Sequence, residues 1–266
     1  LSRRASAPKI NRMPLVDSHS HLDAPEFDAD RDAVLARARA AGVVAQIVPA
    51  VAAAGWPALR ALARAHPDLK PAYGLHPVYL DAHQPGDLDR LAQWLADERP
   101  VAVGECGLDF FVEGLDPSRQ REYFLAQLAL ARDFDLPVVL HARRAVEEVI
   151  ASVRRIGGLR GVVHSYGGSA EQARQLHALG FRIGIGGPIT HARANRLRAV
   201  VAAAPLEQIL LETDAPDQPD AAHRGQRNEP ARLPAVLAAV AAARGEPEER
   251  IADATAANAR DLFRFA

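Results

Sequence analysis

His19 and His21 stand two residues apart in the stretch Val16-Asp17-Ser18-His19-Ser20-His21-Leu22-Asp23. Two imidazoles at that spacing can aim nitrogen lone pairs at one point, as a pair of metal ligands does. Donors of the same kind recur along the chain, each behind a short apolar run: His76 in GLHP, Glu105 and Asp109 in GECGLDF, His141 in LPVVLHAR, His164 in GVVHSYGG, and Glu212 and Asp214 in LLETDAP. Nitrogen and oxygen donors without thiolate suit Zn, Mn, Mg, Ni or Fe. One such histidine alone is more often a hydrogen-bonding residue than a ligand. The joint pattern weighs differently, because of the 10 histidines five lie at these positions, beside the carboxylates of Glu105, Glu212 and Asp214. Buried polar groups without partners are costly, and a metal supplies the partner.

The elements that must position these residues are eight apolar, β-branched-rich runs, at 15–21, 43–51, 69–77, 101–110, 136–143, 161–168, 181–187 and 209–216. A helical pattern follows each. Gly42, Gly180 and Gly245 read as helix ends, and Asp116 with Pro117, and Ser169, as helix starts. Strand–helix alternation implies a parallel sheet. Eight such units over residues 14–266 predict a single (β/α)8 TIM-type barrel, an α/β fold with its active face at the C-terminal ends of the strands. An open doubly wound sheet is the rival, but the Gly-rich fingerprint after its first strand is absent. The segment ATAANARDLFRF is expected to form a final helix packed back on the barrel. Alternate positions on a strand point the same way, so both His19 and His21 reach the mouth. The donors suffice for two ions, which need a bridging group. Lys9 lies in the tail and Lys70 at the far end of the third strand, so Glu105 is the natural bridge. Cys106 is expected to point the other way, into the core.

Composition narrows the function further. The chain has 266 residues, 48% of them hydrophobic, enough for one large core. A net charge of -1 offers no basic field for gripping long nucleic acid, so any phosphate recognition must be local. With one cysteine no intrachain disulfide can form, which suits a cytoplasmic setting. No apolar run reaches membrane-spanning length, and no stable protein partner is inferred. Residues 1–13 are basic and are expected to form a disordered extension, with Met13 a candidate start.

These residues together are similar to the TatD-type metal-dependent deoxyribonucleases of the amidohydrolase superfamily. The resemblance rests on DSHSHLD, GLHP, GECGLDF, LPVVLHAR, GVVHSYGGS and LLETDAP, with GQRNEP after them, and runs from about Leu15 to the C-terminus. It implies two divalent ions, Mg, Mn or Zn. His19, His21, Glu105 and Asp214 would hold one, and Glu105, His141 and His164 the other. His76 and Glu212 would be further site residues, contacting substrate or supporting the ligands from behind. The implied activity is hydrolysis of DNA phosphodiesters, commonly from the 3′ end. Two positions depart from the family pattern. Ser20 stands where many members have cysteine, and Ser165-Tyr166 where many have Cys-Phe.

Two ions can clamp an in-line displacement at phosphorus, with a shared water ionising near neutral pH as the nucleophile. Asp214 is placed to take its proton and His76 to bond a phosphate oxygen. Arg143 is weighed equally as a phosphate contact and as a solvated loop residue. For Arg227 loop bracing outweighs phosphate contact. Tyr166 is read either as a base-stacking residue or as packing at the barrel mouth. His66, His83, His177, His191 and His223 are read as surface residues. The rival functions are hydrolysis of a small-molecule amide or ester, or of an aminoacyl-tRNA ester, on the same ions, and a scaffold with a degenerate site. No loop looks long enough for a large lid, which favours an open site.

Overall fold

The computed structural model describes residues 13–265. The expected disordered extension therefore lies outside the described residues, apart from Met13, which packs partly buried against the core. Eight strands alternate with helices as the sequence predicts: β1 (Leu15–Asp17), α1 (Arg31–Ala40), β2 (Val43–Pro49), α2 (Trp56–Ala65), β3 (Leu69–Tyr73), α3 (Asp87–Glu98), β4 (Ala102–Asp109) and α4 (Pro117–Asp133). There follow β5 (Val138–Arg143), α5 (Val146–Ile156), β6 (Gly161–Val163), α6 (Ala170–Ala178), β7 (Phe181–Ile185), α7 (Asn195–Ala203), β8 (Ile209–Leu211), α8 (Leu233–Arg244) and α9 (Glu248–Phe263). All strand pairs are parallel and in chain order. The first and last strands meet through Ser18 N–H donating to the Leu211 carbonyl (2.9 Å) and Asp214 N–H to the His19 carbonyl (2.9 Å), which nearly closes a (β/α)8 barrel. Among the described residues no helix is long and apolar enough to cross a membrane.

The ladders stop earlier than the apolar runs. Past β1 and β3 the amides find irregular partners, Ser20 N–H on the Ile47 carbonyl and His76 N–H on the Val51 carbonyl. Only Glu105 and His141 of the candidate ligands stand on strands; His19, His21, His164 and Asp214 lie just beyond them. One glycine makes the neighbouring pair possible. Gly107 has φ +144°, and a Cβ there would fall 2.0 Å from the His141 carbonyl oxygen, so only glycine lets β4 and β5 run this close.

Two apolar cores result. The larger lies between barrel and helices and includes Cys106, as expected. The smaller fills the barrel interior with Val16, Ile47, Ala72, Ala102, Val139 and Leu210, capped from below by Ala256, Ala259, Leu262 and Phe263 of α9. Burying Leu262 and Phe263 contributes roughly 1.5–3 kcal/mol each. Asn258 ties the same helix down by donating to the carbonyls of Leu206 (2.8 Å) and Ile209 (3.0 Å). Lys70 stands at this end, its ammonium 5.5 Å from the Phe265 ring and far from the mouth.

Candidate metal centre

Glu105 stands at the middle of the mouth. Its Oε2 lies 3.2 Å from His19 Nε2 and 3.3 Å from His21 Nε2. Its Oε1 lies 2.9 Å from His164 Nε2, 3.1 Å from His76 Nε2 and 3.2 Å from His141 Nδ1. Asp214 Oδ1 joins the first group at 3.4 Å from His19 Nε2 and 3.8 Å from His21 Nε2. The two oxygens of one carboxylate thus face two different sets of imidazoles.

The outer ring atoms decide which lone pairs point inward. Asp109 Oδ2 accepts from His141 Nε2 at 2.8 Å, so a neutral His141 turns a bare Nδ1 toward Glu105. His76 is the reverse case. Its Nδ1 accepts from Val78 N–H at 3.1 Å, so its proton sits on Nε2 and is donated to Glu105 Oε1. His76 is therefore a donor that holds the carboxylate, although its distance matches that of the ligand candidates.

The donor set fits divalent cations. His19 Nε2 and His21 Nε2 face each other at 3.1 Å, and His141 Nδ1 and His164 Nε2 at 3.3 Å. Glu105 Oε2 is buried without a hydrogen-bond partner between them. Converging lone pairs need positive charge between them. The electrostatics agree. Burial would raise the Glu105 carboxyl, but His164, His76 and His19 hold it well below the usual carboxylate range. Burial would lower His164, yet Glu105 lifts it to about 10, and His21 is lifted to about 9 in the same way. His19 is held down by burial and by His164.

A second layer orients this centre. Asp17, wholly buried, accepts from His19 N–H (3.2 Å), Thr213 N–H (3.0 Å) and Thr213 Oγ1 (2.6 Å), stitching β1 to the segment after β8. Asp214 has a left-handed φ of +56° and is steadied by Gln218, which donates to Oδ2. Glu212 lies behind His164, 3.8 Å from its Nδ1, and accepts from Ser165 N–H at 2.5 Å. Burial pushes its carboxyl up to about 8. Helix α4 sends two buried glutamines to the loops of the site. Gln120 brackets the amide and carbonyl of Asp109 (2.7 and 2.8 Å), and Gln127 those of Leu75 (2.7 and 3.0 Å), next to His76. Gln127→Leu would leave both Leu75 groups buried and unpaired, at about 1–3 kcal/mol each. The expected result is a lower denaturant midpoint and weaker activity, with metal content unchanged.

The substrate-side residues fare unevenly. Arg143 is exposed at the mouth, with its guanidinium carbon 3.6 Å from the centroid of the exposed Phe111 ring; Arg144 lies over the same ring at 4.6 Å. Tyr166 packs into the mouth, 3% exposed, and its hydroxyl donates to the Ser169 carbonyl at 2.7 Å. Arg227 is a loop brace. It donates to Asp30 (2.8 Å twice), the Glu26 carbonyl (2.7 Å) and Glu229 (3.1 Å), which leaves it no free face for a phosphate. His83, read from sequence as a surface residue, is buried, and its ring meets the His76 carbonyl at 2.9 Å. Sequence reasoning also passed over Tyr79, which is 48% exposed with its ring 5.5 Å from His76.

A histidine–carboxylate centre at the C-terminal mouth of a (β/α)8 barrel defines the class of metal-dependent hydrolases. The comparisons with known proteins narrow this. The TatD related DNase family model matches residues 16–264, and the chain belongs to that family. It is 44% identical over 254 residues to the uncharacterized metal-dependent hydrolase YjjV of Escherichia coli K12, covering 93% of this chain and 97% of that protein. The crystal structure of YjjV superposes with a TM-score of 0.91, covering 95% of this chain and 98% of that one. The 3′-5′ ssDNA/RNA exonuclease TatD of Klebsiella pneumoniae is 35% identical over 260 residues, 94% of this chain and 97% of that protein.

Proposed function

We propose that the chain is a phosphodiesterase that shortens single-stranded DNA from its 3′ end with two divalent ions. The observation that carries this reading is the division of Glu105, with Oε2 toward His19 and His21 and Oε1 toward His141 and His164. When bound, the ions would supply an activated water and neutralise charge at phosphorus. His19, His21, Glu105 and Asp214 would hold one, and Glu105, His141 and His164 the other. His76 fixes Glu105 by donating from Nε2, and Asp109 fixes the tautomer of His141. Asp214, just beyond β8 beside His19 and His21, would accept the proton of the attacking water. Arg143 and Arg144 offer guanidinium groups to the backbone phosphates at the mouth. The kinship with a protein named as a 3′-5′ ssDNA/RNA exonuclease supports the choice of substrate.

The test uses 5′-labelled single-stranded DNA and chelator-stripped protein, with Mg, Mn or Zn restored singly. A metal-restored ladder growing from the 3′ end is the expected result. No cleavage by protein shown to hold two ions would overturn the nuclease reading and move the same centre to a carboxylic ester, such as an aminoacyl-tRNA end.

A further inference from the structure

A cavity of about 500 Å³ opens beside the metal centre, between the ends of β6 and β7 and the start of α7. It begins one residue from His164, at Ser165, whose N–H is bound to Glu212. Tyr166, almost wholly buried with its hydroxyl on the Ser169 carbonyl, is among the cavity's lining residues. Its walls are largely apolar or bare backbone, and the bareness has two origins. Gly184 is a glycine because a Cβ there would lie 2.0 Å from Glu212 Oε2. Gly167 has no such reason: an added Cβ would meet no atom within 4 Å, and its φ is not left-handed. A side chain at Gly167, on the cavity's lining, would stand in open space at its edge.

The rim is cationic. Arg193 and Arg196 both line the opening and are exposed. Neither forms a salt bridge among the described residues, whereas Arg174 and Arg182, elsewhere on the barrel, are paired with Glu171 and Asp261. A largely apolar slot takes a weakly polar body, and two guanidiniums at its rim without a salt bridge among the described residues take an anion. The volume is that of a small-ligand site. A nucleoside 5′-monophosphate unit has both parts.

We infer that this cavity seats the penultimate nucleotide of the strand, the one whose 3′ oxygen leaves when the terminal nucleotide is cut. Its base enters the apolar part of the cavity beside Pro188 and Leu197, and its own 5′ phosphate, which is not the scissile one, is held by Arg193 and Arg196. The inference rests on the nuclease reading and deepens it. It also gives a reason for single-strand selection, since a base inside the cavity is neither paired nor stacked in a duplex.

The probe is thymidine 5′-monophosphate, titrated calorimetrically into the full-length protein as purified, beside thymidine and inorganic phosphate. The monophosphate should bind at least about tenfold more tightly than either fragment. Arg193→Ala with Arg196→Ala should weaken it about tenfold, and Gly167→Val, whose Cβ meets no atom within 4 Å, should do the same by narrowing the cavity's edge, with phosphate binding unchanged in the valine variant alone. Circular dichroism checks that each variant folds. In DNA cleavage, KM should rise by more than kcat falls. Equal affinity for monophosphate and inorganic phosphate, or monophosphate binding unmoved in both variants, would overturn the inference. Metal-dependent DNA cleavage alongside that result would leave the nuclease reading intact. Variant-sensitive monophosphate binding without DNA cleavage would retain the nucleotide site and overturn the nuclease reading instead.

Discussion

Glu105→Ala is expected to lower hydrolysis by on the order of 10³-fold or more and to strip metal from both halves of the centre. The size of the effect follows from position. Each oxygen of this one carboxylate serves a separate set of imidazoles, so both sets lose their shared anion at once. The barrel should remain folded, because the side chain packs on the centre and carries little of either apolar core. Glu105→Gln separates charge from shape. It preserves the volume but presents an amide where two sets of lone pairs meet, and it should fail almost as completely. Elemental analysis by mass spectrometry, run with an activity assay and circular dichroism, reads all three quantities. A folded Glu105→Ala protein with wild-type metal content and turnover would remove Glu105 from the centre.

Asp17→Ala is expected to produce the largest loss of stability among the polar residues of the site. Its carboxylate accepts from two backbone amides and one hydroxyl, all buried. Orphaned buried donors cost about 1–3 kcal/mol each, so losing all three is worth roughly 3–9 kcal/mol, a large part of the margin of an ordinary domain. Metal content should fall too, since the same stitch holds His19 and the segment of Asp214 together across the barrel seam. Asp17→Asn keeps an acceptor for the two amides, and its amide can donate to the Thr213 hydroxyl, so it should lose much less. Guanidinium denaturation of the two variants against the parent measures the difference. Equal midpoints for parent and alanine variant would show that the seam does not depend on Asp17.

The order of elements was legible in the sequence because period and punctuation are local. Apolar runs with helical segments between them, and glycines such as Gly42 and Gly245 at helix ends, require no knowledge of the fold. The donors at the mouth were legible for a related reason: the barrel rule turns a place at the end of a strand into a place in space. What escaped depends on partners far away in sequence. Asp17 was visible as a residue beside His19, but its partner Thr213 is 196 positions on. Gln127 looked like one polar residue in a helix until Leu75, 52 positions back, came to lie under it. Arg227 is claimed by Asp30 across 197 positions. His83 sits in a polar loop, yet the ring of Tyr123 at 5.4 Å and the carbonyl of His76 enclose it. His76 shows a further limit, since its proximity to Glu105 suggests a ligand, and only the amide of Val78 reveals the direction of its hydrogen bond.

The seal that α9 makes beneath the strands has a kinetic consequence. With Leu262 and Phe263 packed on the interior side chains at the lower end, the barrel is filled there, among the described residues, and the candidate centre faces the opposite end. Under the proposed exonuclease function, a strand could not be threaded through and would have to retreat along the path by which it came, while the released unit left by the same opening. Departing fragment and returning strand would then compete for one exit, and the expected result is that added mononucleotide slows the trimming of long strands.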